Sequence, residues 1–273
     1  MKISGLTASD FNDLVSSLAP PELACSWDNV GFQVGSLKKR IRRVLCSLEV
    51  TPGVVTEAIR RKAQLILVHH PLIFHPLTSI ADDKPVGKLV LWMIKKDLCL
   101  IAAHTNLDKS PHGTNRGLAK TLGLSQIEVL EPEGEPPEES RYGMGCLGNL
   151  PRKISLRLWS EKVRDRLGVK KVQVVGDDRR KVGRVAVLSG AGGDALLKES
   201  CQCADVVVTG EISHHTALEV KMRGMAVICA GHFATEVVGM SFFAEALGKQ
   251  EKIKKAGVEI LVAKSQTPPY IYY

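Results

Sequence analysis

The sequence predicts an α/β fold of two similar halves with mostly parallel sheets, and three observations predict it. Short apolar runs alternate with segments whose apolar residues recur at helical spacing. Runs such as 65–68 (LILV) and 98–103 (LCLIAA) are apolar throughout instead of alternating, which is the pattern of strands covered on both faces. The order of strand, histidine and acidic residue in the second half echoes the order in the first.

In the first half, strands are expected at 44–48, 64–68 and 99–103. Thr51 supplies a helix cap with Pro52 at the first helical position, and the helix follows over 54–62. Further helices are expected at 86–95 and 113–122, the latter stopped by Gly123. The stretch 131–140 (EPEGEPPEES) is acidic and proline-rich without apolar periodicity, and reads as a loop or linker. Beyond it come a helix at 155–167, strands at 171–175 and 184–189, and a glycine-rich turn at 189–194 (SGAGGD) leading into another helix. Strands at 206–209 and 226–230 and a helix at 237–248 complete the pattern, which is that of an α/β sandwich. The expected division is an N-terminal half, 1–128, and a C-terminal half, 129–273, whose last segment is able to pack back on the first.

A chain of 273 residues, 44% hydrophobic and 24% charged, has the composition of a globular protein and excludes disordered or fibrous classes. At this length it can bury about 75% of its unfolded surface, so neither a disulfide nor a metal is needed to hold it together. No apolar run approaches the length of a membrane helix, and the N-terminus lacks the apolar core of a secretory signal. The seven cysteines are scattered, with Cys46, Cys99 and Cys229 inside apolar runs, so a reducing cytoplasm without disulfides is expected. The net charge of +8 permits an anionic small molecule or nucleic acid as partner. The basic clusters at 38–43, 179–184 and 249–255 carry no interleaved aromatics, which weakens the case for single-stranded nucleic acid and favours solvated surface.

The histidines carry the chemistry. One strand runs into His69-His70 and a second into His104, with Asp108 four positions on. In the second half a strand runs into Glu211, His214 and His215, and another into His232, with Glu236 four positions on. Ligands of open α/β sheets bind at the carboxyl ends of strands, where these residues fall. Imidazole and carboxylate suit Zn, Fe, Ni or Mn, so a metal site is expected. Adjacent His69 and His70 diverge on an extended backbone and suit two ions better than one chelate. If the loops turn helical, His232 with Glu236 and His104 with Asp108 share a face. His75 reads as loop packing, and His112 as a cleft or helix-start residue. Cys201 and Cys203 precede their strand and are poorly placed to ligate. The Gly190–Gly193 turn lacks the Lys-Ser/Thr of a P-loop and reads as a plain tight turn. No serine-nucleophile elbow is present.

The chain resembles the NGG-one-interacting-factor-three-like family, whose members are often called GTP cyclohydrolase 1 type 2 homologue. The stretches that carry the resemblance are SWDNVG at 26–31, HHPLIF at 69–74, HTNLD at 104–108, TGEISHH at 209–215 and GHFATE at 231–236. The chain matches the short form, without the domain that some bacterial members insert between the halves. The resemblance implies two intertwined α/β halves facing a central dinuclear metal cleft, in a toroidal homohexamer built as a trimer of dimers. It implies His69, His70, Asp108, His232 and Glu236 as ligands of two divalent ions, with Glu236 as the bridge. His104 matches a histidine at the metals, and Glu211, His214 and His215 line the same cleft. Glu49 stands where the family often has aspartate.

The function expected is a dinuclear metal-dependent hydrolase of a nucleotide or phosphoester-like substrate, with a metal-activated water as nucleophile. His104, Glu211, His214 and His215 are its candidate catalytic residues. The alternative is a non-catalytic metal-binding hexameric scaffold, or a factor that binds protein or nucleic acid. No helix-turn-helix, zinc-finger or basic-zipper pattern supports a sequence-specific DNA binder.

Overall fold

The computed structural model describes residues 5–134 and 141–271; of the stretch expected as a linker, 135–140 lie outside the described residues. In chain order the elements begin with β1 (Leu6–Thr7), α1 (Ala8–Leu18), β2 (Gly31–Val34), β3 (Arg40–Ile41), β4 (Arg43–Ser47), α2 (Pro52–Arg60) and β5 (Leu65–Val68). Next come α3 (Pro85–Lys95), β6 (Cys99–Ala102), α4 (Thr105–Asp108), α5 (Thr114–Thr121), β7 (Ser125–Pro132), β8 (Gly143–Ser155), α6 (Leu156–Leu167) and β9 (Gln173–Val175). The chain closes with β10 (Lys181–Ala191), α7 (Glu199–Gln202), β11 (Val206–Glu211), α8 (His214–Met222), β12 (Val227–Cys229), α9 (His232–Gly248), α10 (Glu251–Ala256) and β13 (Glu259–Val262).

The chain forms two compact units. The first runs to Leu107 and resumes over Met240–Thr267; the second comprises Asp108–Gly239 and the chain from Pro268. The division falls within α9 and within α4.

The first unit holds a five-stranded sheet in the order β13-β4-β5-β6-β2, parallel except for the antiparallel edge strand β2. Its centre is as apolar as the sequence requires: Leu65, Ile66, Leu67 and Val68 of β5 are all fully buried. Truncating one such leucine to alanine costs about 2–5 kcal/mol. Helix α2 starts where Thr51 accepts a hydrogen bond from the Val54 N–H (3.2 Å) and Pro52 occupies the first turn. Buried Glu57 of α2 pins the C-terminal return, accepting from the backbone N–H groups of Lys264 (2.9 Å) and Ser265 (2.8 Å) and from Arg61 (2.9 Å). Burial pushes its carboxyl up, but those hydrogen bonds win and hold it at about 2.

The second unit holds a six-stranded sheet in the order β7-β8-β10-β11-β12-β9. Its centre, β10-β11-β12, is parallel, whereas β7, β8 and β9 join antiparallel. The sheet is therefore mixed, with β7 and β8 as an antiparallel flank that the strand pattern did not reveal. Helix α6 begins at the Ser155 cap (Leu158 N–H to Oγ, 3.3 Å) and ends at Gly168, left-handed at φ +64°. Its Trp159 is buried in a core cluster that also holds Leu118, Val163 and Val182. Cys46, Cys99 and Cys229 are buried, and burial pushes the Cys46 thiol up to about 12, as expected of small core residues. Among the described residues, no helix is long and apolar enough to cross a membrane.

Candidate metal centre

Each unit sends its chemistry to the carboxyl ends of three adjacent parallel strands. In the first, β4 leads to Glu49, β5 to His69 and His70, and β6 to His104. In the second, β10 carries Gly190 near its end, β11 ends at Glu211, and β12 leads to His232. Parallel register brings neighbouring strand ends level, so residues far apart in sequence meet.

In the first unit His69, His70 and His104 converge, each offering a ring nitrogen within 4.8 Å of the other two. The His69 ring lies 5.0 Å from both other rings, centroid to centroid. His69 is fully buried, and its Nδ1 lies 2.9 Å from the Ala103 carbonyl oxygen. A carbonyl only accepts, so in the neutral ring Nδ1 carries the hydrogen and Nε2 the lone pair. His104 Nδ1 lies 2.9 Å from Asp28 Oδ1, the same arrangement with a carboxylate as anchor. Asp28 also accepts from the Thr105 N–H (3.0 Å) and hydroxyl. Burial pushes the Asp28 carboxyl up, yet the hydrogen bonds from His104 and Thr105 outweigh it and hold it at about 2. His70 Nδ1 lies 3.4 Å from Glu49 Oε1, a longer contact on the same side of the ring.

In the second unit α9 begins at His232, so the loop does turn helical and His232 and Glu236 share its first turns. His232 Nδ1 lies 3.0 Å from Glu211 Oε1, and its Nε2 lies 3.1 Å from Glu236 Oε2. Glu236 is 4% exposed. A Cβ at Gly190 (φ +68°) would collide with Glu236 Oε1 and stand 3.2 Å from His232 Nε2. Gly190, expected in a tight turn, lies instead near the end of β10, and its missing side chain makes room for the Glu236 carboxylate. Asp108 accepts from the Thr114 hydroxyl, which in turn accepts from Ser189 Oγ (2.8 Å). The Ser189 N–H donates to Asn115 Oδ1 (2.8 Å), and Asn115 donates to the Asp108 carbonyl (3.0 Å). Asp108 is therefore wired to the residue before Gly190.

His214 and His215 stand exposed in the first turn of α8, after the Ser213 cap, with their rings 5.7 Å apart. His75 is exposed with its ring edge-on to Phe74 at 4.7 Å. His112 sits in the turn before α5, where burial, with Arg141, Lys120 and Arg116 nearby, holds its imidazole below the usual range. Several basic side chains of the predicted clusters are paired at the surface, such as Arg43 with Glu259 (2.6 Å), Arg184 with Glu128 (3.0 Å) and Lys255 with Glu251 (2.9 Å).

The donor set fits a divalent metal. Nδ1 of His69, His104 and His232 faces a carbonyl or carboxylate acceptor, the arrangement that orients metal-binding histidines. The anchors Asp28, Glu49 and Glu211 and the clearance at Gly190 were not assigned these roles from the sequence. Each was in view for another reason: Asp28 in the SWDNVG stretch, Glu49 where the family often has aspartate, Glu211 as a candidate catalytic residue, and Gly190 in the glycine-rich stretch.

The model of the family Duf34/NIF3 (NGG1p interacting factor 3) matches residues 6–269. A Clostridium perfringens protein named "GTP cyclohydrolase 1 type 2 homolog" is 29% identical over 265 residues, covering 96% of this chain and 98% of that protein. Among solved structures, a hypothetical protein of Staphylococcus aureus matches with a TM-score of 0.92 at 28% identity, covering 98% of this chain and all of that one. A Bacillus cereus protein related to NIF3 matches with a TM-score of 0.88 at 29% identity, covering 98% and 99%.

Proposed function

The chain belongs to the Duf34/NIF3 family, and on that premise we propose that it is a metal-dependent hydrolase of a nucleotide or phosphoester-like substrate. The observation that carries the proposal is the strand-end histidines of each unit, anchored through Nδ1, with His69, His70 and His104 gathered in the first and His232 beside Glu236 in the second. The proposed ligands of two divalent ions (Zn, Fe, Mn or Ni) are His69, His70, Asp108, His232 and Glu236. Such ions would bring the pKa of a coordinated water toward 7 and offset negative charge on a phosphoryl group.

The chain's own residues do the rest. Asp28 and Glu211 fix the tautomer and direction of His104 and His232. Thr114 and Asn115 orient Asp108, and Gly190 leaves the Glu236 carboxylate its position. His214 and His215, exposed at the head of α8, are the proposed proton donor and acceptor, a role imidazoles fill near neutral pH. The name of the Clostridium relative supports a nucleotide, and the positive net charge supports an anion. The proposed assembly is a homohexamer in the cytoplasm.

The test is release of phosphate, pyrophosphate or formate from GTP and simple phosphoesters, with each metal added in turn. Wild-type protein should show metal-dependent release and Glu236→Gln should lose it while keeping the same oligomer. Release that is unaffected by Glu236→Gln, or absent with every metal, contradicts the proposal.

A further inference from the structure

Two large aromatic rings stand in solvent beside His104. Trp27 is 58% exposed and Phe74 37%. Their ring centroids are 5.8 Å apart and tilted by 56°. The His104 ring is steeply inclined to both, with centroids 6.1 Å from Trp27 and 6.3 Å from Phe74.

Neither ring rides on a loose loop. The turn carrying Trp27 is closed by the Asp28 N–H on the Cys25 carbonyl (2.9 Å), and the Cys25 N–H donates to Thr105 Oγ1 (2.9 Å). Asp28, next in sequence, is fixed on His104 and Thr105. The residue before Phe74 is clamped from both sides: the Ile73 N–H donates to Gln33 Oε1 (3.1 Å), and its carbonyl accepts from Gln33 Nε2 (3.1 Å) and Asn29 Nδ2 (2.5 Å). Asn29 and Gln33 belong to the same segment as Trp27, so one polar brace ties both aromatic loops to the strand ends. Rings that served only to fill space would be buried, and rings without a role would not need this brace. What the brace produces is a preorganised aromatic face left open beside a histidine of the candidate site.

We infer that Trp27 and Phe74 form a stacking subsite for the heterocyclic base of a mononucleotide. This rests on the reading of the neighbouring centre as one that acts on nucleotides. A flat π-face recognises any base, and a purine, being larger, should bind better than a pyrimidine. A nucleic-acid strand fits less well. The residues flanking the two rings are Ser26, Asp28, Ile73 and His75, which supply no lysine or arginine track for a backbone.

The experiment is equilibrium dialysis of the purified protein against guanosine 5′-monophosphate, cytidine 5′-monophosphate and ribose 5-phosphate. It compares wild type with Trp27→Ala, Trp27→Phe and Phe74→Ala. The expected result is that Trp27→Ala weakens guanosine 5′-monophosphate about tenfold to a hundredfold. Trp27→Phe should restore most of the affinity, Phe74→Ala should fall between, and ribose 5-phosphate should bind all four proteins alike. Equal loss of the base-containing and base-free ligands, no loss in Trp27→Ala, or no wild-type binding of the mononucleotide overturns the subsite. The readout is binding, not turnover. A protein that stacks the base but hydrolyses nothing refutes the hydrolase and keeps the subsite, and the reverse pattern does the opposite.

Discussion

The two units hold their histidines by different means. In the first, two of the three anchors are internal: His69 rests on the Ala103 backbone carbonyl and His104 on Asp28, whose side chain is fully buried, while His70 faces the partly exposed Glu49 at 3.4 Å. In the second, His232 rests on Glu211, whose side chain is 54% exposed, and its position depends on room left by Gly190. A buried carboxylate with several donors has one geometry, whereas an exposed one shares its strength with water. His69 and His104 of the first unit are thus rigidly held. The second unit is an adjustable pair guarded by backbone clearance.

Substitutions at matched positions break or sharpen this contrast. The largest effect is expected from Gly190→Ala. The new methyl must displace Glu236 or the strand, and the left-handed φ adds strain, so stability should fall by about 2 kcal/mol or more in thermal unfolding, with metal uptake impaired. The same substitution at exposed Gly193, where a Cβ meets nothing within 4 Å, should cost less and spare metal uptake.

Next comes the acid response of the first unit. Glu57 is held at about 2, below its usual 4.5, so it stabilises the fold fully above about pH 4.5 and loses that contribution as pH falls toward 2. Urea unfolding from pH 7 to 2.5 should show this slope in wild type. Glu57→Gln should be less stable at pH 7 by about 2–3 kcal/mol and flatter with acid.

Asp28→Asn should follow. It replaces the acceptor of His104 Nδ1 with a group that can donate, and metal affinity should drop about 10–100-fold in competition with a chromogenic chelator. The smallest effect belongs to Glu211→Gln, expected to weaken metal only a few-fold, since its carboxylate is half in water. Equal losses for these two variants would erase the distinction between buried and exposed anchors.

The strands that carry the site were legible because burial leaves no polar face: β5 and β6 are apolar along their whole length and then stop at histidine. The pairing of His232 with Glu236 was legible as an i, i+4 spacing that becomes real once α9 starts at His232. The flank formed by β7 and β8 was not. Its strands carry Gly143, Gly145, Gly148 and Pro151 and are only partly buried, so no period-2 apolar signal marks them. The anchors were illegible for another reason. Asp28 meets His104 across 76 residues, a contact set by the register of the sheet and by no local pattern. Gly190 was visible as a turn, yet the need for its missing side chain lies in Glu236, 46 positions away along the printed sequence.

The most direct test of the central claim is the metal content per chain of protein purified without chelator or metal-affinity resin, beside a His70→Ala/His232→Ala variant. About two divalent ions per wild-type chain, lost in the variant, is the predicted result. Near-zero metal in the wild type with no uptake of added Zn, Mn, Fe or Ni, or equal metal in both proteins, would contradict it.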